Sequence, residues 1–145
     1  MTVSVAMVLG LSACNSAPSD DTPTGALQLF VAAMDRSEWD DNALRDAYAL
    51  LSPAARDALR VRAEEAGSLS GREFDPWQML AQGRFRLRFA PRPGDGMEER
   101  VEGERAVVVV SGSRPDHRAE VPMLLENGRW RVDLVLPPSH TPGVE

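Results

Sequence analysis

The sequence predicts an α+β fold in which N-terminal helices precede an antiparallel sheet and pack on it. Three observations predict it. Apolar residues recur at helical spacing through the first half of the chain and at alternate positions through the second. Thr22-Pro23 and Ser52-Pro53 each set a capping hydroxyl before a proline, which marks a helix start. Asn127-Gly128 stands between two alternating runs, as a two-residue hairpin requires. Helices and strands that are segregated rather than interleaved define the α+β class.

After Thr22-Pro23, residues Leu27, Phe30, Val31 and Met34 share one helical face, and the helix is expected to end between Asp35 and Glu38. Asp41 or Asn42 can cap a second helix with Leu44, Ala47, Tyr48 and Leu51 on its buried side. Ser52-Pro53 opens a third, carrying a weaker stripe of Ala55, Ala58, Leu59, Ala63 and Ala66, and Gly67-Ser68-Leu69-Ser70-Gly71 is expected to break it. Asp75-Pro76 opens a further helical turn through Trp77, Met79 and Leu80, with Asp75 as its cap.

The period then changes. Arg84-Phe85-Arg86-Leu87-Arg88-Phe89 alternates strictly and is expected to be a half-buried strand. Residues 91–96 turn the chain, residues 97–101 form a short acidic strand, and Gly103 marks a bulge. Residues 106–110, with four successive valines, form a central strand, and residues 111–116 turn it. In the closing hairpin the register sets Leu125 against Trp130, Met123 against Val132 and Val121 against Leu134 on one face. Glu126 faces Arg129 and Leu124 faces Arg131 on the other. Pro122 cannot donate to a ladder, so a missing bond or a bulge is expected there.

At 145 residues the chain is sized for one domain. The net charge of −6, with sixteen Arg and no Lys, disfavours nucleic acid as a partner, since that affinity rests on phosphate neutralisation. No aromatic residue interleaves the Arg84, Arg86 and Arg88 row to form a base-stacking platform. That row is expected to be a solvated sheet face paired with Glu98, Glu99, Glu102 or Glu104. One Cys excludes an internal disulfide and a multi-Cys zinc site, and the two His, His117 and His140, show no metal-ligand spacing. No metal or cofactor is expected.

Residues 1–13 are apolar and uncharged, too short to span a bilayer and of the length of a signal-peptide core. They end in Leu11-Ser12-Ala13-Cys14, and a small, polar, Pro-containing stretch follows, Asn15-Ser16-Ala17-Pro18-Ser19-Asp20-Asp21. The segment resembles the lipobox of bacterial lipoproteins. The resemblance implies a signal peptide over residues 1–13, lipid attachment at the Cys14 thiol with acyl chains such as palmitate, a flexible tether over residues 14–21, a domain over 22–138 and a tail over 139–145. It places the protein in the cell envelope, extracytoplasmic and membrane-anchored, facing the periplasm or on the outer membrane. Signal peptides usually open with Lys or Arg, which is absent here, as expected if the start codon lies upstream of Met1.

The helix start with Phe30, the helices-then-sheet order and the closing Glu126-Asn127-Gly128-Arg129-Trp130-Arg131-Val132 resemble small envelope proteins of the nuclear-transport-factor-2-like, or cystatin-like, superfamily. The resemblance spans roughly residues 22–136. It implies a cone in which helices cross a curved sheet, and sheet faces that pair in homodimers or with other envelope proteins. Fold alone does not give function.

Cone-fold isomerases and dehydratases use a pocket Asp or His as base beside a Tyr or a protonated Asp. The possible contributors are Tyr48, Asp75, His117 and Asp133. Asp133 falls on the polar face, Asp75 serves as a cap and His117 follows a turn where it is solvated, so Tyr48 is left without a partner. There is no nucleophile elbow and no Gly-rich phosphate loop. Trp39 lies in an acidic stretch and is expected to be exposed, whereas Tyr48, Trp77 and Trp130 could line a pocket. The expectation is a protein without catalytic residues, in a binding or structural role. The alternative is a small-molecule binder or an isomerase- or dehydratase-like enzyme using the cone pocket.

Overall fold

The computed structural model describes residues 16–81 and 85–137. Three α-helices, α1 (Pro23–Arg36), α2 (Ala43–Ala49) and α3 (Pro53–Ser70), and a 3-10 helix (Pro76–Ala81) precede four strands. These are β1 (Met97–Glu102), β2 (Arg105–Ser111), β3 (Arg118–Glu126) and β4 (Arg129–Val132), forming one antiparallel sheet in the order β1-β2-β3-β4. The α+β class is as the sequence predicts.

The helices α1 and α3 begin where their capping hydroxyls say. The Thr22 hydroxyl accepts from the Gly25 N–H at 3.0 Å, and the Ser52 hydroxyl accepts from the Ala55 N–H at 3.2 Å. Asn42 precedes α2 without a side-chain cap; instead its own N–H reaches the Asp40 carboxylate at 3.0 Å. The turn before the 3-10 helix uses the reverse bond of a capping box, with the Gln78 side chain accepting from the Asp75 N–H at 2.8 Å. The third helix overturns one expectation. It continues through Gly67 and stops at Gly71, which takes the left-handed φ of 67° that ends a helix. The Ser68 and Ser70 hydroxyls bond the carbonyls of Glu64 and Ala66 one turn back, so the polar stretch stays within the helix.

The closing hairpin has the expected register, Met123 with Val132, Leu124 with Arg131, Leu125 with Trp130 and Glu126 with Arg129. Asn127 and Gly128 have φ of 52° and 77°, both positive, as a type I′ turn needs. The paired strand ends at Val132, so Val121 and Leu134 are not ladder partners, although both pack against the core. Pro122 explains the end. Its carbonyl accepts from the Asp133 N–H at 2.9 Å, and a proline has no N–H to return the bond. Gly103 is the first residue of a two-residue turn joining Glu102 to Arg105, with φ of 62°, rather than a bulge.

Residues 85–90 correct a larger expectation, because they form no strand. Phe85, Leu87 and Phe89 do turn towards the core, as alternation requires. Among the described residues no strand pairs with them, and they lie as an irregular strap across the helical side of the sheet. Arg86 consequently pairs with Glu38 at 3.1 Å and donates to the Ser37 hydroxyl at 2.7 Å, not to the β1 carboxylates. Arg84 lies outside the described residues.

One apolar cluster joins the α1 face (Leu27, Phe30, Met34) to Leu51 and Leu59 and to Val108, Val110, Met123, Trp130 and Val132 of the sheet. Full burial of such side chains stabilises by about 1.5–3 kcal/mol each. The outer edge of β4 is also closed. Trp130 N–H donates to the Asp20 carbonyl and Val132 N–H to the Leu50 carbonyl, both at 2.8 Å, and Val132 carbonyl accepts from Ser52 N–H at 2.9 Å. The end of the segment read as a tether is thus fixed on the sheet. Asp20 also meets Arg131 at 2.8 Å and Arg129 at 3.0 Å.

Candidate functional site

An apolar cleft follows from the strap. The Leu27, Phe30, Val31 and Met34 face of α1 forms one wall, residues 85–91 the second, and Val121, Val132 and Leu134 the floor, enclosing about 540 Å³. Three charged side chains share this lining, Asp35, Arg86 and Arg88.

The strap is clamped at two points. At one, Arg86 grips Glu38 and Ser37 just past the end of α1, and the Ser37 hydroxyl in turn donates to the Met34 carbonyl at 2.6 Å. At the other, Phe89 stacks on the His117 ring, with centroids 5.0 Å apart and planes 9° from parallel. Gly112 makes that stack possible: a Cβ there would lie 2.7 Å from the His117 Cβ and 2.8 Å from the Phe89 ring. His117 is therefore half-buried against an aromatic ring, not solvated as its place after a turn implies. Its Nδ1 is buried without a hydrogen-bond partner among the described residues.

The residues expected near a pocket lie elsewhere. Trp130 is 6% exposed and belongs to the core beneath the hairpin. The Tyr48 hydroxyl donates to the Arg56 carbonyl at 3.4 Å. Trp77 is half-buried, with the Arg45 guanidinium 4.8 Å from its ring centre. None of the three lines the cleft. Trp39 is exposed at 74%, as its acidic surroundings suggest. Cys14 and His140 lie outside the described residues.

The four acid–base candidates are not assembled. Asp75 is exposed beside the 3-10 helix. Asp133 accepts from the fully buried Ser52 hydroxyl at 2.7 Å, a bond that holds the start of α3 against the end of β4. His117 is committed to Phe89 and Tyr48 to Arg56. No hydrogen bond or ion pair joins any two of the four among the described residues, and acid–base chemistry needs such contact. Among the described residues no group of three His, Cys, Asp or Glu could hold a metal ion.

No family model, curated protein or solved structure matches this chain. Among the described residues no helix is long and apolar enough to cross a membrane.

Sequence reasoning placed Asp20 in the tether and Glu99 opposite the Arg row, and so missed the contact that each makes. Glu99 accepts from both the Thr24 N–H at 3.0 Å and the Thr24 hydroxyl at 2.8 Å, so a β1 carboxylate caps the start of α1. Nothing local in the sequence pairs residues so far apart. The Asp20 contacts had a weak signal, since Thr22-Pro23 already fixes the chain two residues on.

Proposed function

We propose that this protein is a lipid-anchored, extracytoplasmic component of the bacterial cell envelope with a nuclear-transport-factor-2-like domain and a non-catalytic binding or structural role. The observation that carries the reading is the order of apolar run, Leu11-Ser12-Ala13-Cys14 and short polar stretch immediately ahead of the first helix. The Cys14 thiol takes the lipid and the tether leads to Asp20, where the domain begins. The separation of Tyr48, Asp75, His117 and Asp133 supports the non-catalytic part of the reading. The apolar cleft beside α1 favours binding of a small molecule over a purely structural role. Envelope proteins or a second copy are the macromolecular partners this reading admits.

Detergent phase separation tests the anchor. Each buried acyl CH₂ contributes about 0.8 kcal/mol, and two or more chains hold a protein stably in a bilayer. The chain, expressed in a bacterium with an upstream export start, should enter the detergent phase, and Cys14→Ser should move it to the aqueous phase or leave it uncut. A wild-type protein that stays aqueous and uncut overturns the reading.

A further inference from the structure

We propose that the cleft between α1 and residues 85–91 binds a long-chain carboxylate, its alkyl chain against Phe30, Val31, Phe85 and Leu134 and its head on Arg88. The inference rests on the non-catalytic binding reading and deepens it by naming the ligand class.

Three observations carry it. The first is size. Protein interiors leave few voids larger than a water molecule, whereas ligand sites run roughly 300–1,000 Å³. At about 540 Å³ the cleft has room for such a ligand, and it is its lining rather than its size that sets it apart from the polar hollow of about 810 Å³ beside α3. The second is the lining, in which Leu, Phe, Val and Met side chains dominate and none of Tyr48, Asp75, His117 and Asp133 takes part. Such walls suit a flexible hydrocarbon chain. The third is charge. Of the three charged side chains in the lining, two are guanidiniums and one is a carboxylate. Arg86 is already matched by Glu38. Arg88 is exposed and has no ion-pair partner among the described residues. A guanidinium on a long apolar stem can lie along the cleft wall and present two parallel N–H donors to a carboxylate. Asp35 is the opposing group, and it makes a cationic head the rival ligand.

Calorimetric titration of the full 145-residue chain carrying Cys14→Ser, purified without detergent, tests the proposal. Laurate is titrated below its micelle concentration, with dodecyltrimethylammonium as the cationic counterpart and decanoate as the shorter acid. Laurate should saturate one site per chain. Decanoate, two methylenes shorter, should bind about fifteenfold more weakly. Arg88→Gln should weaken laurate about tenfold or more while leaving the thermal midpoint unchanged, because a charge-assisted hydrogen bond is lost at an exposed position. Val31→Trp, which fills the cleft, should abolish saturable binding in a protein whose circular dichroism still shows the fold. Absence of saturable laurate binding, equal or tighter binding of dodecyltrimethylammonium, or an Arg88→Gln variant that binds laurate like the parent would each overturn the proposal. These outcomes are independent of detergent partitioning, so failure here leaves the anchor standing, and failure of the anchor leaves the cleft standing.

Discussion

Asp20 carries more of the tertiary structure than its place in a polar tether suggests. Its carbonyl closes the edge of β4 at Trp130, and its carboxylate sits between Arg129 and Arg131. The Arg131 hydrogen bond, aided by the charges of Arg129 and Arg131 and opposed by burial, holds its carboxyl below the ordinary value of 3.8. A folded pKa below the unfolded one means that the stabilisation is present above the unfolded pKa and lost as pH falls through the folded pKa. Asp20→Asn should therefore lower the urea midpoint near about pH 6, and the gap from the parent should close as the pH drops below about 4. A gap that does not vary with pH would show that the carboxylate charge is not what holds this corner. Other single residues separate by burial. Trp130→Ala should cost about 3–5 kcal/mol, whereas Trp39→Ala, on an exposed ring, should stay within about 0.5 kcal/mol of the parent. Equilibrium denaturation reads both, and an inert Trp130→Ala would contradict its burial beneath the hairpin.

The closing hairpin was legible in the sequence because two independent signals agree there. Asn-Gly turn chemistry and alternation both specify the register that pairs Leu125 with Trp130. Asn127→Val should destabilise the protein by about 1–2 kcal/mol, since a β-branched residue resists the positive φ at that position. A neutral Asn127→Val would mean that the turn does not hold the register. The strap over residues 85–90 was only half legible, for a physical reason. Alternation reports which side chains of an extended chain point inward, and Phe85, Leu87 and Phe89 do so. It does not report whether a neighbouring strand exists to take the backbone bonds. The reach of α3 was misread for a different reason. A glycine inside a helix costs only about 1 kcal/mol, so Gly67 does not terminate what Ser68 and Ser70 continue, and only Gly71 adopts the stop conformation. Gly112 is a position whose importance no pattern announces. Gly112→Ala should cost about 1–3 kcal/mol by forcing the Phe89–His117 stack apart, measurable as a lowered thermal midpoint.

For the whole molecule, the division into helices first and strands afterwards conceals how closely the two halves depend on each other. The helical half supplies partners to the sheet: the Leu50 carbonyl and Ser52 N–H extend β4 outward, and Leu51 bridges Val132 in parallel. The sheet returns them, since Glu99 caps α1, Asp133 holds Ser52 and Glu126 pairs with Arg56 at 3.0 Å. The fold class could be read from period and turn chemistry because both are local. These cross-connections could not, because each joins residues distant in sequence through single polar atoms. An apolar interior with room for at most a small cleft could be read, but not where the cleft opens, since its walls are ordinary core residues that the strap leaves slightly apart. Interdependence of this kind predicts a single cooperative transition. In a chain carrying Trp39→Phe and Trp77→Phe, the fluorescence of Trp130 follows the sheet core, and far-UV ellipticity is dominated by the helices. Their urea curves should superimpose, with one midpoint and one slope. If ellipticity persisted after Trp130 had become solvated, the helices would be stable without the sheet, and the edge bonds at Leu50 and Ser52 would be consequences of docking rather than part of what holds the fold together.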